Sequence, residues 1–329
     1  MRRRDFIKVI AGSAITWPLA GRAQQPAMPV IGFLNSASPN SLAYESRVDA
    51  FRQGLTEAGY VERQNAAIEY RWAENQIDRL PALAGDLVRR NVSVIVAGGS
   101  PASALAAKSA TTTIPIVFMN AADPVSIGLV ANLSRPGGNI TGVTTISTEL
   151  GAKRLGLLRE LVPSVASIAM LVNPSRPGVD AQMAQAQESA QALGLPMHIV
   201  KADSERDFDA AFRTVVQLQA GALVVAPDAL FTGLREQIVA LEKSYSLPAM
   251  HEFRDFVAAG GLMSYGASGR DEYRQGGTLV GRVLKGEKPA DLPIMQPTKF
   301  ELVINLRTAK SLGLNVPLSM QLLADEVIE

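Results

Sequence analysis

From about residue 28 onward, short continuous apolar runs alternate with stretches whose apolar positions recur every three or four residues. Runs at 30–34, 68–72, 92–97, 114–119 and 140–145 are apolar and rich in β-branched residues. Runs of that length predict strands, and those apolar throughout predict strands buried on both faces. Between them, 78–90 puts Leu80, Leu83, Leu87 and Val88 on one face, with Arg89 and Arg90 in the last turn. That is the stripe of a helix lying on a sheet. The pattern then restarts, with strands predicted at 168–172, 197–200, 222–226, 248–251 and 262–265. A helix over 206–218 aligns Phe208, Phe212, Val215 and Val216.

The two halves look alike. Val30-Ile31-Gly32-Phe33-Leu34-Asn35 is answered by Ile168-Ala169-Met170-Leu171-Val172-Asn173, and Ile114-Pro115-Ile116-Val117 by Leu247-Pro248-Ala249-Met250. A repeat of this length suggests two similar lobes. The helix at 271–284 carries Gly276, Gly277 and Gly281 for close packing, and a strand at 300–305 and a short helix at 307–312 follow. We read these as a return across a hinge. The expected fold is α/β: two doubly wound parallel-sheet lobes with a ligand cleft between them. The first lobe is expected to span 28–143 plus about 267–299 and the second 144–266. The lobe of 300–329 stays open.

Composition refines this picture. Hydrophobic residues make up 47% of the 329 and charged residues 19%, enough apolar material for a large core. Residues 1–23 read as an export signal. They join a twin-arginine head, Arg3-Arg4-Asp5-Phe6-Ile7-Lys8, to an apolar middle too short to span a membrane and a small-residue cut at Gly21-Arg22-Ala23. Cleavage near Ala23 removes five basic residues and one acid from totals of 32 and 31, leaving 27 against 30, a net charge of −3. Nothing there suggests a nucleic-acid partner. Cysteine is absent, so packing alone must hold an exported chain together. The mature protein is expected in the periplasm.

In open parallel sheets, ligands bind beyond the carboxyl ends of the strands. Here those ends are polar or glycine-rich: Asn35-Ser36, Gly98-Gly99-Ser100, Asn120 through Asp123, Asn173, Asp228 and Ser264-Tyr265. Each residue has an ordinary explanation as a cap or turn former. Together they make Asn35, Ser36, Gly99, Ser100, Asp123, Asn173, Asp228 and Tyr265 the candidate ligand-binding set. Asp123 and Asp228 suit a ligand cation, helix N-termini near Ser36 and Ser100 a carboxylate, and Tyr265 a ring.

Catalysis is the rival reading. Ser100 between a strand and a helix, followed by Asp228 and His251, runs in the order of a serine hydrolase. Pro101 argues against it, because the residue after the nucleophile must supply an N–H to the oxyanion hole and proline has none. His198 lies in a predicted strand, and His251-Glu252 lacks a second histidine at helical spacing. No metal, cofactor or catalytic residue is expected.

Several stretches resemble the substrate-binding proteins of bacterial ABC transporters, of the family labelled tryptophan/tyrosine-type. They are Phe51-Arg52-Gln53-Gly54-Leu55 with Ala58-Gly59-Tyr60, then Ile114-Pro115-Ile116-Val117-Phe118 leading to Ala122-Asp123-Pro124-Val125 and Gly128-Leu129-Val130. Arg135-Pro136-Gly137-Gly138-Asn139-Ile140-Thr141-Gly142-Val143, Leu171-Val172-Asn173-Pro174, Gly261-Leu262-Met263-Ser264-Tyr265-Gly266 and Ile304-Asn305-Leu306-Arg307-Thr308-Ala309-Lys310 complete them. The resemblance covers nearly all of the mature chain. It implies a type I periplasmic binding-protein fold that closes over a small solute and presents it to an inner-membrane ABC permease; the acids and helix N-termini at the strand ends suit an amino acid, an aromatic one included. A sensory binding protein would share that clamshell. Many relatives carry a lipoprotein cysteine; this chain has none, which implies a freely soluble protein, expected to be monomeric.

Overall fold

The structure, a computed structural model, describes residues 28–120, 122–145 and 150–329. The export signal read at 1–23 lies outside the described residues. The first half runs β1 (Val30–Asn35), α1 (Leu42–Glu57), β2 (Ala67–Trp72), α2 (Leu80–Arg89), β3 (Val94–Gly98), α3 (Pro101–Ala110), β4 (Ile116–Asn120) and β5 (Ile140–Thr144). The second runs α4 (Leu150–Leu161), β6 (Ile168–Val172), α5 (Val179–Ala192), β7 (Met197–Lys201), α6 (Phe208–Gln217), β8 (Ala222–Val225), α7 (Ala229–Gly233), α8 (Arg235–Ser244), β9 (Ala249–His251), α9 (Arg254–Ala258) and β10 (Met263–Gly266). The chain then continues through α10 (Gly269–Leu284), β11 (Glu301–Asn305), α11 (Leu306–Ser311), α12 (Leu318–Leu323) and β12 (Glu326–Ile328).

The repeat seen in sequence is a repeat of topology. The first sheet has the order β2-β1-β3-β4-β5, and the second contains β7-β6-β8-β9-β10 in the same sense. Strand order reverses between β1 and β3 and again between β6 and β8, which opens a crevice at each point. Apolar clusters lie on both faces of each sheet, one pair built around Phe33, Phe51, Val96 and around Leu34, Leu87, Phe118, the other around Leu158, Met170 and around Phe208, Phe231. This explains why the central strands β1, β3, β4, β6 and β8 are apolar along nearly their whole length.

The last stretch of chain divides itself between the lobes. Helix α10 leaves β10 and packs on α1 and on β3, β4 and β5 of the first sheet. Strands β11 and β12 lie in the second sheet, β11 antiparallel to β10 and β12 parallel to β11. β12 escapes a sequence reading because it is three residues long with an acid at its start.

The α1–α10 contact is made by glycines. A methyl group on Gly54 would overlap the carbonyl of Arg274, one on Gly277 the carbonyl of Phe51, and one on Gly281 the Cβ of Ala58. Backbone cannot retreat cheaply from such an overlap. Gly156, on α4, has open space around its Cβ position. Gly54→Ala should therefore destabilise the protein by about 1–3 kcal/mol, as overpacking does. Gly156→Ala should stabilise it by roughly 0.5–1 kcal/mol through helix propensity. Urea denaturation of the two variants checks both signs.

Candidate functional site

Four strand ends use the same local device. Asn35 Oδ1 accepts the N–H of Ala37 (2.9 Å), Asn120 Oδ1 that of Ala122 (3.0 Å), Asn173 Oδ1 that of Ser175 (3.0 Å) and Asp228 Oδ1 that of Leu230 (2.8 Å). A short polar side chain bonded two residues on closes the turn out of the strand. It also fixes where the second polar atom points. Asn35 Nδ2 donates to Tyr273 Oη (3.2 Å) and Asn173 Nδ2 to Asp228 Oδ2 (3.3 Å). Asn120 Nδ2 is buried and has no partner among the described residues.

These ends meet in the cleft, where two adjoining spaces share Arg176 and Pro227 as walls. The inner one is polar. From the first lobe, Tyr44, Arg47, Asn120, Glu272 and Tyr273 line it; from the second, Asp228 and Phe253. The outer one is mostly apolar, with Ile127, Leu155, Met170 and Val224 in its walls. Its cavity volume is about 150 Å³.

The lobes touch directly across the inner space. Arg47 Nη2 lies 3.1 Å from Asp255 Oδ2 in the other lobe, and its guanidinium sits 4.6 Å from the Phe253 ring centroid and 5.1 Å from that of Tyr44. Burial alone would pull Arg47 down, but Asp255 and the neighbouring phenols outweigh it and hold the guanidinium above its ordinary value. Burial pulls Arg176 and Arg154 below theirs, with Asp228 and Glu252 opposing. The acids move the other way: burial raises Asp228 and Glu252, and pushes Glu272 up to about 8. The Tyr273 hydroxyl is likewise pushed up by burial to about 12; it accepts N–H bonds from Asn35 and from Gly99 (3.0 Å), which leaves its proton to donate.

Of the residues singled out in sequence, Gly99 and Asp228 line the inner space and Asp123 the outer. Gly99 has φ +84°, and a side chain there would run into Asn35 and Ser36. The buried Ser36 hydroxyl has no partner among the described residues. Asn35 and Asn173 act one step back, orienting Tyr273 and Asp228. Ser100 is the N-cap of α3 and accepts from Ala102 N–H (3.1 Å). Tyr265 packs on the second lobe's core and toward Phe300, while its carbonyl accepts from Arg154 Nε (2.7 Å). It is not among the residues that line either space.

A hydrolase arrangement does not form among the described residues. His251 is fully buried, stacked on Phe256 with centroids 4.3 Å apart and with Nε2 3.3 Å from Glu242. Asp228 is bonded to Asn173 and Leu230 instead.

Sequence reasoning missed Tyr44, Arg47, Asn120, Arg176, Phe253, Glu272 and Tyr273. A signal existed for two pairs. Tyr44, Val48, Phe51 and Leu55 form the buried stripe of α1, and Arg47 sits on it; Tyr273, Leu279, Val280 and Val283 belong to that of α10, and Glu272 sits beside them. A charge on a buried stripe needs a partner or a task.

The family model for ABC transporter substrate binding proteins matches residues 39–328 of this chain. A tyrosine-binding protein of Clostridioides difficile (strain R20291) is 26% identical over 265 residues, 80% of this chain and 75% of its own length. Two solved structures each cover 91% of this chain and 99% of their own. A conserved domain protein from Vibrio cholerae O1 biovar eltor str. N16961 has a TM-score of 0.85 at 25% identity. An ABC domain from Streptococcus pneumonia in complex with L-Trp has one of 0.83 at 26%.

Folding raises Glu272 from 4.5 to about 8, so between those values the folded chain keeps a proton that the unfolded chain has released. The stability this group contributes is present below 4.5 and is lost as pH rises through the window. Denaturation of the ligand-free protein at intervals from about pH 5 to 8 should show that decline. Glu272→Gln should flatten it; an unchanged slope would place the proton on another group.

Proposed function

The chain belongs to the ABC transporter substrate binding protein family, and from that premise we propose that it is the exported receptor of an ABC importer, closing its lobes over an amino acid and delivering it to an inner-membrane permease. One observation carries the choice of ligand. The inner space is lined by residues that carry two buried donors, Arg47 Nε and Asn120 Nδ2, and one buried acceptor, Glu272 Oε1, without partners among the described residues. Buried polar groups without partners are costly, and a site built from them favours a ligand that completes them. Two donors and an acceptor suit a carboxylate beside an ammonium group.

Asp228 supports the same reading. It lines the inner space, where burial raises it and Arg176 opposes that rise; a ligand ammonium group would add a second favourable charge beside it. The apolar outer space, with Asp123 at its wall, takes the ligand's side chain. A ring fits its composition, and relatives named for tyrosine and solved with L-Trp point the same way.

Transport needs the closed form to differ from the open one in ligand affinity. Residues from both lobes line the inner space, so the ligand completes the site only when the lobes meet. The twin-arginine pattern and cut site at 1–23 support export to the periplasm.

Isothermal titration of the mature protein with L-tryptophan and L-tyrosine is the direct test, and saturable binding of at least one is expected. Asp228→Asn keeps the shape of the side chain and removes its charge. It should weaken binding by roughly 30-fold or more, the effect of removing a buried charged partner. An unchanged Kd would take Asp228 out of the site, and no binding of either amino acid would sink the ligand class.

A further inference from the structure

Glu272 is the first lobe's only carboxyl group among the described residues lining the inner space. It sits in the first turn of α10, is 5% exposed, and its Oε1 has no hydrogen-bond partner there. Arg47 lines the same space but is engaged by Asp255 of the opposite lobe. Asp228 faces the space from the second lobe. Arg176 lines the space beside Asp228 and opposes the cost of its burial, which leaves Glu272 Oε1 as the carboxyl oxygen of this space without a hydrogen-bond partner among the described residues.

We propose that Glu272 is the first lobe's ligand-binding carboxylate, pairing with the ammonium group of the bound amino acid from the side opposite Asp228. One cationic group is then held by both lobes at once. An ammonium group has three N–H donors to share, and closure becomes linked to the ligand's amine. This assignment rests on the amino-acid reading above and goes beyond it by naming the residue that makes that linkage.

A proton change follows from the surroundings of Glu272. On the helix it packs against, α1, the facing groups are Arg47 and Tyr44. β3, β4 and β5 bring no titratable side chain. Glu252 acts on it from the second lobe, raising it, while Arg47 lowers it. On its own helix lie Arg270, Asp271, Tyr273 and Arg274, and Asp271, Lys299 and Glu301 share with it the wall of a further cavity. Burial outweighs Arg47 and pushes the group up to about 8, so a proton is expected on Glu272 in the ligand-free protein at neutral pH. When the ligand enters, the Glu272 O–H bond breaks, its proton passes to solvent, and the carboxylate pairs with an ammonium group that keeps all its own protons.

The test is titration calorimetry with L-tryptophan and L-tyrosine at about pH 7, in phosphate and in Tris, whose ionisation heats differ. Release of about one proton per ligand is expected, with Kd tightening about tenfold per pH unit between about pH 6 and 7.5. Glu272→Gln should bind at least about tenfold more weakly at pH 7, release no proton and lose the pH dependence. The variant also separates Glu272 from Asp228, which burial raises as well. Binding without proton release, or release that persists in the variant, or an unchanged Kd in the variant, overturns the assignment and leaves the amino-acid reading standing. Failure of both amino acids to bind the wild-type protein overturns that reading and the assignment with it.

Discussion

Helices α1 and α10 come from distant parts of the chain and approach until glycine meets carbonyl, at Gly54 against Arg274 and at Gly277 against Phe51. Arg47 and Tyr44 project into the cleft from one of these helices, Glu272 and Tyr273 from the other. A bulkier contact would move α10 outward and carry its two cleft residues away from Asn35 and Gly99, whose bonds to Tyr273 tie the helix to the ends of β1 and β3. The first lobe's share of the site is thus held by one backbone-to-backbone contact and one phenol.

Electrostatics explains why the two lobes belong together. Arg47, Arg154 and Arg176 are buried, as are Asp228, Glu252 and Glu272. Charges taken out of water need partners. Arg47 finds part of its compensation across the cleft, in Asp255 and the ring of Phe253. Arg154 finds its own within the second lobe, 3.5 Å from Glu252. Of the buried polar atoms without a partner among the described residues, those on Arg47, Asn120 and Glu272 belong to residues that line the inner space. The outer space is apolar, so the cleft separates a polar end from an apolar one. That division suits a small molecule with a charged head and an apolar body, held within walls supplied by both lobes.

The fold was largely legible along the chain. Each apolar run read as a strand in the two halves appears as one, because a strand buried on both faces has no polar position to hide its pattern. The likeness of the halves appears as a shared strand order. Part of the candidate site was legible for the same reason: Gly99, Asp123 and Asp228 stand at strand ends and line its two spaces. Tyr265 was chosen by that rule too, and its ring packs on the second lobe's core. The rule gives the end of the strand and is silent on the face to which a side chain points.

Local sequence thus determined what depends on neighbours a few residues away: strands, helices, and turns such as those closed by Asn35, Asn173 and Asp228. Only the tertiary structure decided which helical faces line the cleft. Arg47 and Glu272 sit on or beside apolar helix stripes that look like ordinary core. Their place in the cleft depends on the path of α10 back from the second lobe and on the apposition of the lobes that sets Asp255 and Asp228 near them. Burial, and with it the shift of each ionisable group, belongs to the space between two lobes, and no stretch of either lobe's sequence encodes that space by itself.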